Sequence, residues 1–555
     1  MDSLIFRREL RRFFILFGLL AVLDFSPRIQ AATRSKKVPV VPKWGRLDQS
    51  FKSSVKYTNA LQQATLQVSF ISPDGRTNQV EGFWDGGKTW RVRFCPDVAG
   101  RWAYRTSCSD SANKGLHDHF GEFLCTSVTG PTRFNQHGPV RLAHDRRHFE
   151  HADGTSFFWL ADTVWAGPRV CQPKDWEYYA GTRGLQQFTV AQWAVAPGMD
   201  SKKQSAWTGN PSAIAINPEF FQRLDARIDM LGRAGILSAI APLMEMESQT
   251  NSPLPEPQAA LLLRYARARW GADPVAWMLA FDSDSQAKKI GRWKRIGVMA
   301  FPADDSGAPV VLYPGETPWL LNEFRDQAWV DAFAYPAVTD LTEDALKLAV
   351  AGPFANEWRQ APAHAIISVA PRENSLGSQS GKRFTAEEIR RALYWGELMT
   401  VPAGVTYGAQ GVSEWDTTIE PSSDKSKNSR LPLWRKSLFL PGAKQLARFA
   451  TLFQGIDFWR LRPEPNFVAS QPGAEAPGRF IAAAGTEARD LTLVYVPEDR
   501  TLEISLDALP GSPAVNWFNP REGQVTPAVA VVGAHSCQLP TPDPGDWVLL
   551  MKAGR

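Results

Sequence analysis

The stretch Pro257–Asp282, "PQAALLLRYARARWGADPVAWMLAFD", holds two periodicities in succession. Its first part reads as an amphipathic helix that stops at Gly271. The strand Val275–Phe281 follows, and acids stand at its end, Asp282 and then Asp284. The same order recurs. "NPEFFQRLDARIDMLGRAGI" has Asn217 as N-cap and Pro218 at the first helical position. Phe220, Leu224, Ile228 and Leu231 fall at helical spacing, Gly235 is the stop, and the strand "ILSAIAPL" comes next. "FTAEEIRRALYWGELM" opens with a capping box, Thr385 with Glu388, stapled by Phe384 and Ile389, and leads into "AGVTYGA". "FFWLADTVW" reads as a buried strand with a polar end. Repeated αβ units over residues 130–460 predict parallel strands with crossover helices, and the length fits a (β/α)8 barrel.

The flanks have another texture. Over residues 38–128, "TWRVRF" and "RWAYRTS" alternate aromatic or aliphatic with basic residues, separated by turns such as "SPDG" and "DGG". That is the pattern of a half-buried antiparallel sheet, and it predicts a β-sandwich. After the linker "RPEPNFVASQPGAEAPG", residues 466–555 return to short strands and predict a second one. The multidomain fold expected is therefore a TIM barrel between two β-sandwiches.

Gly82–Thr89, within "EGFWDGGKTWRVRF", matches G-x-x-x-x-G-K-[ST]. A phosphate-binding loop must open a helix, whose N-terminal N–H groups face the anion. Here Lys88 and Thr89 open a strand, so the stretch reads as a hairpin turn, and no nucleotide is implied. At the start of the chain, Arg7, Arg8, Arg11 and Arg12 precede the apolar run from Phe13 to Leu23, and Ala31 and Ala32 follow. A run of this length falls short of the ~20 residues that span a bilayer. Residues 1–31 read as a signal peptide, giving a secreted, periplasmic or cell-surface protein with no stable membrane span once it is removed.

Of the chain's net charge of +5, +2 lies in residues 1–31, which leaves too mild an excess to argue for nucleic acid. The five cysteines, Cys95, Cys108, Cys125, Cys171 and Cys537, show no C-x-x-C spacing. The 8 histidines show no metal-ligand spacing either, so no metal or cofactor is implied. Export permits disulfides, and their pairing stays open. The 21 tryptophans, against 9 methionines, fit either aromatic cores or flat platforms for sugar rings.

In a (β/α)8 barrel, chemistry sits at the C-terminal ends of the strands. Carboxylates stand at or just beyond four predicted strand ends: Asp162, Glu245 with Glu247, Asp282 with Asp284, and Glu373. Asp282 and Glu373 are 91 residues apart, about three β/α units, as strands 4 and 7 would be. A carboxyl group beside Phe281 and Trp277 loses solvation, which raises its pKa and suits a proton donor. Asp162 stands where sugar hydroxyls would be bound, or is a satisfied structural group, and Glu245 and Glu247, in a loop on the same face, are placed to bind substrate or to stand in for a lost carboxylate. Trp165, Trp193, Tyr407 and Trp415 lie near strand ends, either stacking on sugars or packing in the core.

Together, "FFWLADTVW", "NPEFFQRLDARIDMLGRAGI", "RYARARWGADPVAWMLAFD" and "RRALYWGELMTVPAGVTYGAQGVSEW" resemble the apiosidase-like glycoside hydrolases over about residues 137–460. The front module resembles the sandwich of unknown function that often precedes such domains, and the tail the "collagen-binding" sandwich that often follows. The resemblance implies an acid/base after strand 4 and a nucleophile after strand 7. "WMLAFD" matches the family's Trp-Ile-Leu-Gly-Gly-Asp, with Ala280 and Phe281 in place of both glycines, so the resemblance gives Asp282 the proton-donor role. Strand 7 departs: where the family has Glu-Pro-x-Tyr-Glu, this chain has "VAPRENS", with Ala370 at the first Glu and Glu373 near the second. Two functions are therefore expected in competition. One is a secreted, retaining glycoside hydrolase that uses Asp282 and Glu373 on a poly- or oligosaccharide. The other is a catalytically degenerate carbohydrate-binding protein on the same scaffold.

Overall fold

The computed structural model describes residues 38–245, 253–281, 287–301, 307–314, 319–400, 402–417, 434–505, 513–533 and 536–553. Eight parallel strands form the centre: β1 (Trp159–Thr163), β2 (Val190–Ala194), β3 (Leu237–Ala241), β4 (Val275–Phe281), β5 (Val310–Tyr313), β6 (Ala332–Tyr335), β7 (Ala365–Glu373) and β8 (Pro402–Ala409). Each pairs in parallel with the next. β8 returns to β1, with Asp162 opposite Tyr407, so the sheet is a closed barrel. The helices outside are α1 (Pro173–Leu185), α2 (Pro218–Arg233), α3 (Glu256–Trp270), α4 (Ala287–Ala300), α5 (Glu343–Ala351), α6 (Ala386–Met399) and α7 (Pro441–Gln454).

Local signals place these helices. Asn217 accepts a hydrogen bond from the Phe220 N–H and starts α2. The Thr385–Glu388 capping box starts α6. Gly235 takes φ +74° and turns the chain from α2 into β3.

Strand parity decides what faces inward. One apolar cluster contains Trp159, Ala161, Val190, Ala194, Ala239, Ala241, Ala276, Met278, Ala280, Val311, Ala334 and Val369, and it fills the barrel. Phe134, Val140, Phe149 and Phe157, from the segment before β1, belong to the same cluster, and Phe149 lies 5.2 Å from the Trp159 ring. They plug the end where the strands begin, so the open mouth is at the C-terminal ends.

The N-terminal sheet runs Val40–Pro42, Phe120–Thr126, Gly100–Cys108, Leu66–Ile71, Thr77–Trp84, Thr89–Phe94, Leu47–Lys52. It folds over a core in which Phe70 stacks on Phe94 at 4.2 Å. Gly82–Thr89 is a hairpin turn between Thr77–Trp84 and Thr89–Phe94: the Thr89 N–H donates to Gly86 O and the Asp85 N–H to Thr89 O. Asp85 in this turn bonds to Arg269 of α3 and to Arg91. Arg93 and Arg269 both clasp Asp225 of α2, which ties the sheet to the barrel. At the other end a six-stranded and a three-stranded sheet pack around Trp517, Leu502 and Leu549. α6 joins them to the barrel through Arg390 with Asp546 and through Tyr394 stacked on Tyr495 at 4.7 Å.

All five cysteines are free thiols. Among the described residues no helix is long and apolar enough to cross a membrane, and no group of His, Cys, Asp or Glu is placed to hold a metal ion.

Candidate active site

Three expected carboxylates, Glu247, Asp282 and Asp284, lie outside the described residues. What β4 shows is its phase: Ala276, Met278 and Ala280 fill the barrel, and position 282 is next in that alternation along the sequence.

Glu373 departs from the expectation that it faces the mouth. Along β7, Ala365, Ile367 and Val369 point inward, so simple alternation would turn residue 373 inward too. The pairing with β8 slips instead. Val369 lies opposite Thr406, but Arg372, not Pro371, lies opposite Gly408. This is a β-bulge, and Pro371, which has no N–H to give the ladder, sits inside it. The slip exchanges the faces of the last residues. Glu373 pairs with Ala409, whose neighbours Val405 and Tyr407 belong to the outer core.

The Glu373 carboxylate is consequently buried, only 2% exposed, between the barrel wall and α7. It accepts hydrogen bonds from the Tyr407 hydroxyl at 2.6 Å and the Gly442 N–H at 3.1 Å. Gly442 is in the first turn of α7, whose Leu440 N-cap has no side-chain hydrogen-bond acceptor, so Glu373 serves that helix end. Any Cβ at position 442 would collide with the carboxylate. Burial raises the Glu373 pKa, and the Tyr407 and Gly442 hydrogen bonds oppose that rise.

Asp162 lies in the same outer layer. It is fully buried, and its Oδ2 accepts from the Tyr179 hydroxyl at 2.8 Å and from Arg183 Nε at 2.7 Å. Burial raises its pKa, against the pull of Arg183. The Arg183 guanidinium also lies over the rings of Phe188 and Tyr407. Asp162, Tyr179, Arg183, Tyr407 and Glu373 thus form one buried polar seam joining β1, β7 and β8 to α1 and α7. None of them offers a surface to a ligand.

Trp193 is buried against Trp270, and Trp415 is stacked on Trp434 at 4.1 Å beside Trp176. Both belong to the helix layer, as does Tyr407. Glu245 is held by Arg292 of α4 through Nε at 3.1 Å and Nη2 at 2.6 Å. Trp165 is different: it packs on the barrel interior cluster and stacks on Tyr313 at 5.9 Å, so the ends of β1 and β5 meet across the mouth.

Other mouth groups carried no motif in the sequence. Gln192 of β2 donates to Thr406 Oγ1 of β8 at 3.0 Å inside the barrel. Arg372 lies over Gly408, where a Cβ would come within 2.9 Å of its Cγ. Arg169 Nε donates to Ala194 O at the end of β2. Only strand parity, corrected for the bulge, would have revealed them. A depression of about 390 Å³ lies on the outside of α3 and α4, lined by Glu256, Lys294 and Met299 among others.

The family model described as "Apiosidase-like, catalytic domain" matches residues 143–460, more than half of the chain. The chain belongs to the apiosidase-like family. A domain of unknown function matches residues 40–109, and a model named for collagen binding in a collagenase matches residues 463–552. No curated protein sequence matches. Among solved structures, a protein from Bacteroides vulgatus ATCC 8482 described as a glycoside hydrolase superposes with a TM-score of 0.69 at 18% identity. That match covers 93% of this chain and 99% of that one. A glycoside hydrolase family 5 protein from the same organism gives 0.65 at 18% identity, covering 76% and 95%. A further glycoside hydrolase gives 0.66 at 17%, covering 77% and 99%. These likenesses show a shared fold. The apiosidase-like barrel thus has the glycoside hydrolase architecture, with a strand-7 end built differently from the one its motif predicts.

Proposed function

We propose that the protein is an exported glycoside hydrolase that engages a glycan at the C-terminal mouth of its barrel. In this reading Asp282 is the proton donor, and Glu373 has a positioning role. Family membership supports the reaction class. The inward phase of Ala276, Met278 and Ala280 supports Asp282, the next residue of that phase in the sequence. The Trp165–Tyr313 pair gives the mouth a flat aromatic surface for a sugar ring. The observation that carries the assignment of Glu373 is its orientation: a nucleophile must reach the anomeric carbon, and this carboxylate is spent on Tyr407 and Gly442. Export rests on the N-terminal segment and is tested by the mature N-terminus of protein recovered outside the cell.

A second reading, glycan binding without hydrolysis, is favoured by the same orientation, because a two-carboxylate mechanism through Glu373 is not supported. One experiment separates the two. Wild type, Asp282→Asn and Glu373→Gln are incubated with a broad glycan panel, and both released reducing ends and binding are measured. Hydrolysis abolished by Asp282→Asn and largely kept by Glu373→Gln supports the first reading. Binding with no turnover by any of the three supports the second. Turnover unaffected by Asp282→Asn removes the proton-donor assignment.

A further inference from the structure

The bulge that turns Glu373 outward has a second effect: it brings a guanidinium to the mouth. Arg372 is in register with Gly408. Gly408 shares the phase of Thr406, whose hydroxyl is bonded to Gln192 within the barrel. Neighbours in register on parallel strands present the same face, so Arg372 stands on the barrel side of the wall. Its alkyl stem is packed over Gly408, which has no Cβ to block it.

The charge of Arg372 is weakly committed. Its ion-pair partner is Glu414, at 3.4 Å, with the two side chains 48% and 53% exposed. A pair so long and so wet contributes little and exchanges readily for another anion. By contrast, Arg93, Arg183, Arg269 and Arg390 are each locked into buried carboxylate contacts of 2.7 Å. Arg169, which follows β1 and reaches over to the end of β2, is half-buried, and burial lowers its pKa. Its hydrogen bonds go to the carbonyls of Ala194 and Met199, and the nearby charges of Glu414 and Asp200 partly compensate. Arg372 thus presents an exposed, weakly paired guanidinium on the barrel side of the β7 end.

We infer that Arg372 selects a glycan bearing an oxyanion, a uronate carboxylate or a sulfate ester, which displaces Glu414 and pairs with the guanidinium fork. The inference rests on the glycan reading above and adds the substrate's charge. A planar fork of fixed donors recognises such oxyanions in two-pronged fashion, with a geometry a lysine does not reproduce. A neutral sugar would leave the Arg372–Glu414 pair in place and gain nothing from it.

The test is binding by isothermal titration and affinity electrophoresis at fixed ionic strength. The probes are polygalacturonate, its carboxyl-reduced neutral counterpart, dextran sulfate and dextran. The proteins are wild type, Arg372→Met, which keeps the stem over Gly408, and Arg372→Lys, which keeps the charge, each checked for fold by circular dichroism. The expected result is at least tenfold tighter binding of an anionic polymer than of its neutral partner. Arg372→Met should lose most of that preference while neutral affinity is unchanged, and Arg372→Lys should fall between. Preference for polygalacturonate alone identifies a carboxylate, and preference for dextran sulfate, alone or in addition, a sulfate. Neutral and anionic polymers bound equally, or an anionic preference untouched by Arg372→Met, overturns the inference and leaves the glycan reading standing. No binding of any polymer here or in the broad panel removes both.

Discussion

The Tyr407 hydroxyl donates a 2.6 Å hydrogen bond to Glu373 in a fully enclosed space between barrel and helix layer. Two strands and a helix start meet at that contact. Glu373→Ala would leave the Tyr407 hydroxyl and the Gly442 N–H without an acceptor, at a cost of roughly 3 kcal/mol. Glu373→Gln keeps an acceptor and should cost clearly less. Urea unfolding gives both values. In the same preparations, Glu373→Gln should keep most of the turnover per folded molecule. A loss of several orders of magnitude with an intact fold would instead make Glu373 the nucleophile.

Asp162 and Arg183 should behave as a unit. Each is fully buried, and one atom of each, Asp162 Oδ1 and Arg183 Nη2, has no hydrogen-bond partner among the described residues, so the pair is imperfectly satisfied. Arg183→Met strands a buried carboxylate and should cost about 3–5 kcal/mol. Adding Asp162→Leu removes that stranded charge and should recover more than half of the loss. Additive penalties in the double variant, measured by chemical denaturation, would show that the two side chains act independently.

How far the sequence could be read follows from the range of the interactions involved. Asn217, the Thr385–Glu388 box and the strand Val275–Phe281 were legible because their signals lie within a few residues. The direction of Glu373 was not, because it depends on a one-residue slip against a strand more than thirty residues away. Pro371 was the visible clue, since proline in an interior strand forces an irregularity in the ladder. Trp193 and Gln192 make the same point. They are adjacent on β2 and face opposite ways, and once the inner phase is set by Val190 and Ala194, Gln192 goes to the lumen and Trp193 to the helices. Residue type alone put Trp165 and Trp193 on a par, and parity turns Trp193 to the helices and leaves Trp165 against the barrel interior.

Glu397 should make the stability of the protein pH-dependent. It lies in α6, is 2% exposed, and its Oε1 has no hydrogen-bond partner among the described residues; burial pushes its pKa up to about 8 from the ordinary 4.5. Between those two values the folded protein keeps a proton that the unfolded chain has released. Stability is therefore lost as pH rises from 4.5 towards 8. Glu397→Gln cannot ionise and escapes this loss. Its advantage over wild type should be near zero at pH 4.5 and grow to roughly 2–4 kcal/mol at pH 8. Thermal melts of the two proteins across that range measure the difference, and a difference flat with pH would mean the carboxyl is not titrating in the fold.

The Gly82–Thr89 turn should matter through Asp85 and not through Lys88. Lys88 is exposed, and its counterpart in a phosphate-binding loop would face a helix N-terminus that this hairpin lacks. Asp85 bonds to Arg269 of α3 at 2.8 Å and to Arg91 at 2.7 Å, while Arg269 and Arg93 hold Asp225. Burial works to raise the Asp225 pKa, but the two guanidiniums outweigh it and hold the carboxyl at about 2, below its ordinary 3.8. That lowered value is a stabilising contribution present above pH 3.8 and lost as pH falls through 2. Asp225→Asn leaves Arg93 and Arg269, both buried, with too little counter-charge and should cost about 3 kcal/mol at neutral pH. Asp85→Ala leaves Arg269 its two bonds to Asp225 and should cost less. The measurement that resolves the site of damage is limited proteolysis. Both variants should release the N-terminal sheet as the first fragment, ahead of cleavage within the barrel, and Lys88→Ala should cleave like wild type. Proteolysis that begins in the barrel in the Asp225 variant would show that this cluster stabilises α2 and α3 and not the docking of the sheet.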